Sequence, residues 1–228
     1  MVIDMKKINV AIDGPAGAGK STISRKAANE LGFIYVDTGA LYRTVGVSAL
    51  RKGIDMQSDE AIISVLPDTK VELKFIDGEQ RMFLCGEDVS ADIRMPEASM
   101  AASRVSAVPK VREFLFDLQR KLASENDCVM DGRDIGTVVL PDAEVKIFLT
   151  ASPECRAQRR YNELIEKGIE ADYQEVLSDI IKRDYNDSHR EIAPLKPAED
   201  AIILDTSGFE LEKSVKRVIE TIKANMVN

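Results

Sequence analysis

The chain has 228 residues, of which 44% are apolar and 31% charged, so it has enough apolar side chains for a sizeable core and lies near the upper end of single-domain size. Its formal net charge of -8 argues against binding nucleic acid or an anionic membrane by bulk attraction. Three cysteines and one histidine exclude a disulfide framework and a Cys/His zinc site. With neither a signal sequence nor an apolar run near ~18 residues, a cytoplasmic protein is expected.

Five short apolar runs predict strands that are buried on both faces. They span residues 8–13, 33–37, 128–131, 145–150 and 201–206. Helical spacing predicts helices over residues 20–31, 110–123, 153–167 and 173–185. Alternating strands and helices indicate an α/β fold with a doubly wound parallel sheet, whose ligands bind at the carboxyl ends of the strands.

Residues 64–107 interrupt this alternation. Two runs of alternating polarity flank Asp77, Gly78 and Glu79, which together form a hairpin signal, and Gly86 marks a second turn. We interpret this segment as a small inserted antiparallel β lobe within a single domain that spans the whole chain. Edge strands on the main sheet are the alternative.

The stretch DGPAGAGKST contains the pattern G-x-x-x-x-G-K-S/T, with an apolar strand before it and a helix after it. Its glycines let backbone N–H groups converge on an anion, and the N-terminus of the helix adds partial positive charge. Lys20 would reach the β- and γ-phosphates, and the Ser21 hydroxyl would bind Mg²⁺. A nucleoside triphosphate site is therefore predicted. Its contacts are Gly14, Pro15, Ala16, Gly17, Ala18, Gly19, Lys20, Ser21 and Thr22.

Arginines beyond two other strand ends indicate what receives the phosphate. Thr38 and Arg43 follow the second predicted strand, and Arg133 and Asp134 follow the third. Guanidinium groups bind phosphate oxygens bidentately, so several converging arginines would fix a second phosphate. This predicts a kinase that acts on a phosphorylated substrate. A GTPase is disfavoured, because the nearest approach to its N-K-x-D or T-K-x-D box, residues 69–72, ends in glutamate.

Six stretches together resemble the bacterial cytidylate kinase family. They are IDGPAGAGKST, YVDTGALYR, ASRVSAVPKVR, DGRDIGTVVLPDAEVKIFLTAS, RAQRR and KRDYNDSHREIAPLKPA, and they are distributed along nearly the whole length of the chain. The resemblance implies phosphorylation of CMP and dCMP by ATP with Mg²⁺. It also implies an adenylate-kinase-like core with an enlarged nucleoside monophosphate lobe, which accounts for the inserted hairpin.

The resemblance assigns roles at the acceptor site by position. The residues around the acceptor phosphate are Thr38, Arg43, Arg133 and Arg190, those at the sugar are Arg183 and Asp187, and the readers of cytosine are Ser103, Arg112 and Asp134. Cytosine presents acceptors at O2 and N3 and a donor at N4, so an arginine and oxygen acceptors complement it, whereas uracil reverses two of these groups. Without the resemblance, KRDYNDSHR is equally well interpreted as a solvated charged helix face.

Residues 153–185 correspond to the lid of this family, which closes over the donor phosphates. Arg156, Arg159 and Arg160 share one helix face by their spacing. Arg159 is the preferred donor contact, but the sequence leaves open which of the three binds the phosphates.

The expected mechanism needs no catalytic base, because a phosphomonoester with a second pKa near ~6 is already largely ionised at neutral pH. Lys20, Arg133 and Arg159 would stabilise a loose transition state together with Mg²⁺. Ser21 would bind the metal directly and Asp37 through water, although Asp37 could equally cap the following helix.

Two other functions stay open at this stage. One is a P-loop kinase for UMP, AMP or a small metabolite, and the other is a nucleotide-binding regulatory switch. The arginine set disfavours the switch and the cytosine readers disfavour the other acceptors. A monomer is expected, because the sequence shows no exposed heptad pattern.

Overall fold

The structure is a computed structural model that describes residues 7–226. Within these residues the chain divides into two compact units, one formed by the residues up to Tyr35 together with those from Ala123 onward, and the other by Val36–Leu122. Within the described residues, no helix has both the length and the apolar character needed to cross a membrane.

The secondary structure alternates strands and helices, as the sequence predicts. The strands are β1 (Asn9–Asp13), β2 (Ile34–Asp37), β3 (Val71–Ile76), β4 (Glu79–Leu84), β5 (Glu87–Asp88), β6 (Cys128–Gly132), β7 (Val145–Thr150) and β8 (Ile202–Asp205). The helices are α1 (Lys20–Leu31), α2 (Thr38–Arg51), α3 (Asp59–Ser64), α4 (Pro96–Val105), α5 (Pro109–Glu125), α6 (Pro153–Glu166), α7 (Tyr173–His189) and α8 (Leu211–Asn225).

A five-stranded sheet has the order β2-β6-β1-β7-β8. β1 pairs in parallel with β6 and β7, and β7 pairs in parallel with β8. Asp13 at the end of β1 is in register with Gly132 on one side and Phe148 on the other. The carboxyl ends of three strands therefore meet at one edge, and the predicted α/β fold with a parallel sheet is confirmed.

The core of the first unit lies between this sheet and the helices around it. Ile12, Ile147 and Val218 from β1, β7 and α8 are each at most 1% exposed. Burial of such side chains contributes about 1.5–3 kcal/mol each. α1 ends where predicted, because Gly32 takes a left-handed φ of 72° and donates its N–H to carbonyls of the last turn.

The second unit contains a separate antiparallel sheet in the order β3-β4-β5. Asp77 and Gly78 connect β3 to β4 with φ values of 53° and 78°, as a two-residue type I′ hairpin requires. Cys85 and Gly86 repeat this geometry before β5, with φ values of 51° and 88°. The predicted antiparallel lobe is confirmed, since these strands are not edges of the main sheet. Its bounds of 64–107 stay a prediction.

Helices α2 and α4 pack closely in the second unit. A Cβ atom at Gly46 would lie 2.8 Å from the Cβ of Ala101, so the contact requires glycine. Leu41, Val105 and Leu115 are fully buried in the same cluster. The lobe therefore has an apolar core of its own that holds α2, α4 and α5 together.

Candidate functional site

The glycine-rich loop connects β1 to α1 at the carboxyl edge of the sheet. Gly14, Gly17 and Gly19 have φ values of 150°, 75° and 85°, which disfavour any residue with a side chain. A Cβ atom at Gly14 would lie 1.9 Å from the carbonyl oxygen of Leu149 on β7. The loop is thus packed directly on the sheet, and it leads into the N-terminus of a helix, as loops that bind phosphate do.

Lys20 begins α1 and is only 6% exposed. Its Nζ atom donates a hydrogen bond of 2.8 Å to the carbonyl oxygen of Pro15, so the side chain folds back over the loop. Burial, helped by the nearby positive charge of Arg133, lowers the pKa of Lys20 from 10.5 to about 7. An anion in the loop would favour the charged form of this lysine.

Asp131 on β6 orients the serine of the loop. Its carboxylate accepts hydrogen bonds from Ser21 Oγ at 3.0 Å and from the Tyr35 hydroxyl at 3.2 Å. A hydroxyl beside a buried carboxylate offers the hard oxygen donors that Mg²⁺ prefers, so these residues fit the expected metal. The role of Asp131 was not predicted from the sequence, in which its position near the end of an apolar strand is the available signal.

Asp13 at the end of β1 fixes the segment that follows β6. Its carboxylate accepts the backbone N–H groups of Ile135 and Gly136, both at 2.8 Å. Burial raises the pKa of Asp13 from 3.8 to about 6, although these two hydrogen bonds oppose the shift. The two N–H groups open the π-helical turn Ile135–Val139, so Asp13 holds this turn directly after Arg133 and Asp134. This role was also missed from the sequence.

The structure brings together four of the residues that the sequence analysis placed at the acceptor. Arg133 Nε donates to Asp187 on α7 at 2.9 Å, and a terminal nitrogen of Arg190 lies 3.5 Å from Asp134. The positive charge of Arg183 on α7 makes a small contribution to lowering the pKa of Lys20. Asp187 is 9% exposed, so this end of α7 is not simply a solvated face. The individual substrate contacts stay predictions.

Asp37 caps α2, which was one of its two expected roles. Its side chain accepts the backbone N–H of Ala40 at 3.0 Å and a hydrogen bond from Arg43 at 2.7 Å. Both side chains are partly exposed. The ion pair presents a guanidinium at the start of the helix, while the metal role of Asp37 stays a prediction.

The remaining predicted acceptor residues of the second unit lie on its helices. Thr38 is buried at the start of α2, and Ser103 is half-buried on α4. Arg112 on α5 is 9% exposed, and its guanidinium carbon lies 5.8 Å from the centre of the Tyr42 ring. This is a cation–π contact, which favours a position of the guanidinium near the ring.

The three arginines of α6 have different environments. Arg156 is buried, with 2% of its surface exposed. Arg159 donates a hydrogen bond of 2.9 Å to the carbonyl oxygen of Thr206, which follows β8. Arg160 forms a surface ion pair with Glu163 at 2.9 Å. Their shared helical spacing therefore does not imply a shared function.

A glycine-rich loop of the phosphate-binding kind and an arginine cluster at one edge of a parallel sheet are the features of a P-loop kinase. The family model for cytidylate kinases matches residues 10–224. A cytidylate kinase of Caldicellulosiruptor bescii is 53% identical over 216 residues, which are 95% of this chain and 96% of that protein. The chain belongs to the cytidylate kinase family and is a nucleoside monophosphate kinase. This confirms the resemblance found in the sequence.

One further relative agrees with this assignment, and one solved structure is similar in fold. A cytidylate kinase of Lactobacillus johnsonii is 48% identical over 221 residues, covering 97% of this chain and 96% of that protein. Among solved structures, an uncharacterized protein from Eubacterium ventriosum has a TM-score of 0.53 at 13% identity, covering 96% of this chain and 99% of that one. The second likeness concerns the fold alone.

Proposed function

We propose that this protein transfers the γ-phosphoryl group of ATP to CMP and dCMP, giving ADP and CDP or dCDP. The observation that carries the proposal is the pairing of two cationic sites at one edge of the sheet. Lys20 and its loop suit a triphosphate, while Arg133, held by Asp187, suits the phosphate of an acceptor. The names of the relatives support cytidylate as that acceptor.

The donor half of the mechanism depends on the loop. Backbone N–H groups of the loop and the Lys20 ammonium would hold the β- and γ-phosphates in line with the acceptor. Ser21, through its hydroxyl, and Asp131 would hold Mg²⁺, which neutralises phosphate charge when bound. Arg159 is the proposed lid contact to the donor phosphates.

The acceptor half requires no proton transfer from the protein. The attacking phosphate oxygen is already largely ionised at neutral pH, since its second pKa is ~6. Two polyanions must nevertheless approach each other, and their repulsion is the main obstacle. Three arginines are proposed to offset this repulsion at the acceptor phosphate: Arg43, Arg133 and Arg190. Thr38 is a further proposed contact to that phosphate. Arg183 and Asp187 are the proposed sugar contacts.

An ADP-release assay with a panel of acceptors tests the function directly. The panel is CMP, dCMP, UMP, AMP, dTMP and water alone, each with ATP and Mg²⁺. We expect turnover with CMP and dCMP, and negligible ATP hydrolysis without an acceptor because a closed site excludes water. Turnover mainly with another monophosphate would overturn the proposed substrate, and fast hydrolysis without any acceptor would overturn the proposed reaction.

Ser103, Arg112 and Asp134 are the proposed readers of the cytosine base. Replacing Asp134 with asparagine should reduce the preference for CMP over UMP by about 10-fold or more. The proposed reason is that the carboxylate accepts a hydrogen bond from the N4 amino group of cytosine, whereas uracil O4 is itself an acceptor and is repelled by the carboxylate. The measurement is the ratio of kcat/KM for the two substrates. Asp187→Asn is the control, since it should lower both values and leave the ratio unchanged. An unchanged ratio in Asp134→Asn would remove this residue from base recognition.

ATP binding should be accompanied by proton uptake at about pH 8. Without an anion in the loop, the pKa of Lys20 is lowered to about 7, so much of this lysine is neutral at that pH. Phosphate oxygens favour the ammonium and raise its pKa, so a proton is taken from the buffer. Calorimetric titration in buffers of different ionisation enthalpy measures this uptake. It should disappear in Lys20→Met, and equal uptake in the variant would contradict the assignment.

A further inference from the structure

Arg156 uses its guanidinium within the protein. Nε donates to the carbonyl oxygen of Ala151 at 2.8 Å, and one terminal nitrogen donates to the carbonyl oxygen of Ala16 at 3.0 Å. Both terminal nitrogens also donate to the carboxylate of Asp184 on α7. Four of the five N–H groups of an arginine are thereby occupied.

The partners of Arg156 include the glycine-rich loop itself. Ala16 lies in that loop, and its neighbour Gly17 takes a left-handed φ of 75°. A Cβ atom at Gly17 would lie 3.3 Å from the Cβ of Arg156, so the arginine stem packs against the loop backbone. Arg156 thus holds two consecutive loop residues, one by a hydrogen bond and one by packing.

We infer that Arg156 and Asp184 are positioning residues for the donor, acting through the loop that binds its phosphates. Asp184 fixes the guanidinium, and the guanidinium fixes the carbonyl of Ala16, so the loop keeps its backbone conformation before ATP arrives. This inference rests on the proposed function and separates Arg156 from Arg159. The charge of Arg156 is neutralised by a bidentate carboxylate, whereas Arg159 donates to a main-chain carbonyl at the same edge of the sheet.

A competing interpretation makes Arg156 a phosphate ligand that Asp184 withholds until the donor binds. The two interpretations predict opposite effects of Asp184→Asn on ATP affinity. If the pair positions the loop, the Kd and KM for ATP should rise about 10-fold or more, since a bidentate charge-assisted contact is lost. If Asp184 withholds a ligand, the substitution frees Arg156 and the Kd for ATP should fall.

Matched variants separate positioning from a general loss of stability. Asp179→Asn removes the same charge from an exposed site on α7 and should leave the KM for ATP unchanged. The KM for CMP should stay within about twofold in Asp184→Asn, because the effect acts on the donor loop. A merely structural role would lower the Tm and the active fraction, and hence the apparent kcat, without changing the KM for ATP.

A second variant keeps the test independent of folding problems at Asp184. Arg156→Lys retains a cation beside Asp184, but a single ammonium cannot reproduce the planar fork that bridges the carboxylate and the loop carbonyl. It should also raise the Kd for ATP. An unchanged or lower Kd in either folded variant would overturn the inference. Because this Kd is measured calorimetrically without an acceptor, absence of CMP-dependent turnover in the wild type would refute only the proposed function.

Discussion

Replacing Lys20 with methionine is expected to reduce kcat by about 10²- to 10³-fold or more, because a preorganised cation at the transferred phosphoryl group is lost. The ammonium sits above the loop and donates to the Pro15 carbonyl at 2.8 Å, so the methionine side chain fills the same space without the charge. Steady-state ADP release with CMP measures the loss. Lys26→Met, at an exposed position on the same helix, is the control that should keep normal activity.

The folded state of this variant should be at least as stable as the wild type at neutral pH. Burial lowers the pKa of Lys20 from 10.5 to about 7, so the unfolded chain binds the proton more strongly than the folded chain between these values. The contribution of Lys20 to the free energy of unfolding therefore increases as pH rises from about 7 to 10.5. Below about pH 7 the folded protein contains a charged, buried lysine, and the full cost of burying that charge lowers its stability. A Tm equal to or above that of the wild type is expected at about pH 7. Near-normal kcat, or a large fall in Tm, would contradict the assigned role.

The sequence predicted the secondary structure well where the signals are local. The start and end of α1 coincide with the prediction because the glycine-rich loop directly precedes the helix and Gly32 is a stop signal at its end. The hairpin at Asp77 and Gly78 was found for the same reason. α7 extends to His189, beyond the predicted end at residue 185, because its last turn is polar and has no apolar periodicity to reveal it.

The phosphate loop could be predicted because its residues are contiguous, but the groups that support it could not. Asp131 lies 110 residues from Ser21 and Asp184 lies 28 residues from Arg156, so neither contact has a local signature. Asp131 does lie near the end of an apolar strand beside β1, and that position is the signal a sequence offers. Asp184, within a charged run, offers none.

The sequence also could not rank the arginines of α6. Helical spacing places Arg156, Arg159 and Arg160 on one face, but burial and partners decide what each one does. Those partners come from residues far along the chain, such as Asp184 and Thr206. Tertiary contacts thus separate side chains that the sequence pattern treats alike.

Removing the guanidinium at position 133 is expected to have the other large effect on activity. Arg133→Met should lower kcat/KM for CMP by about 10³-fold or more, the scale found for arginines that stabilise phosphoryl transfer. Asp187 holds Arg133 Nε at 2.9 Å, and one terminal nitrogen donates to the carbonyl oxygen of Gly132 at 3.2 Å, so the other terminal nitrogen is the one proposed to bind phosphate at the edge of the sheet. Arg217→Met, at an exposed position on α8, is the control and should retain normal kinetics.

A second readout of Arg133→Met does not depend on turnover. The charge of Arg133 helps to lower the pKa of Lys20, so its removal raises that pKa in the nucleotide-free protein. More of Lys20 is then protonated before ATP binds, and the proton uptake on binding at about pH 8 should decrease. Unchanged uptake would mean that the two cations do not share one electrostatic site. Reduced proton uptake would indicate that Arg133 lies beside the donor phosphates, and lost turnover with CMP would indicate that it also acts on the acceptor. Both results are expected of an arginine that lies between the two phosphate groups.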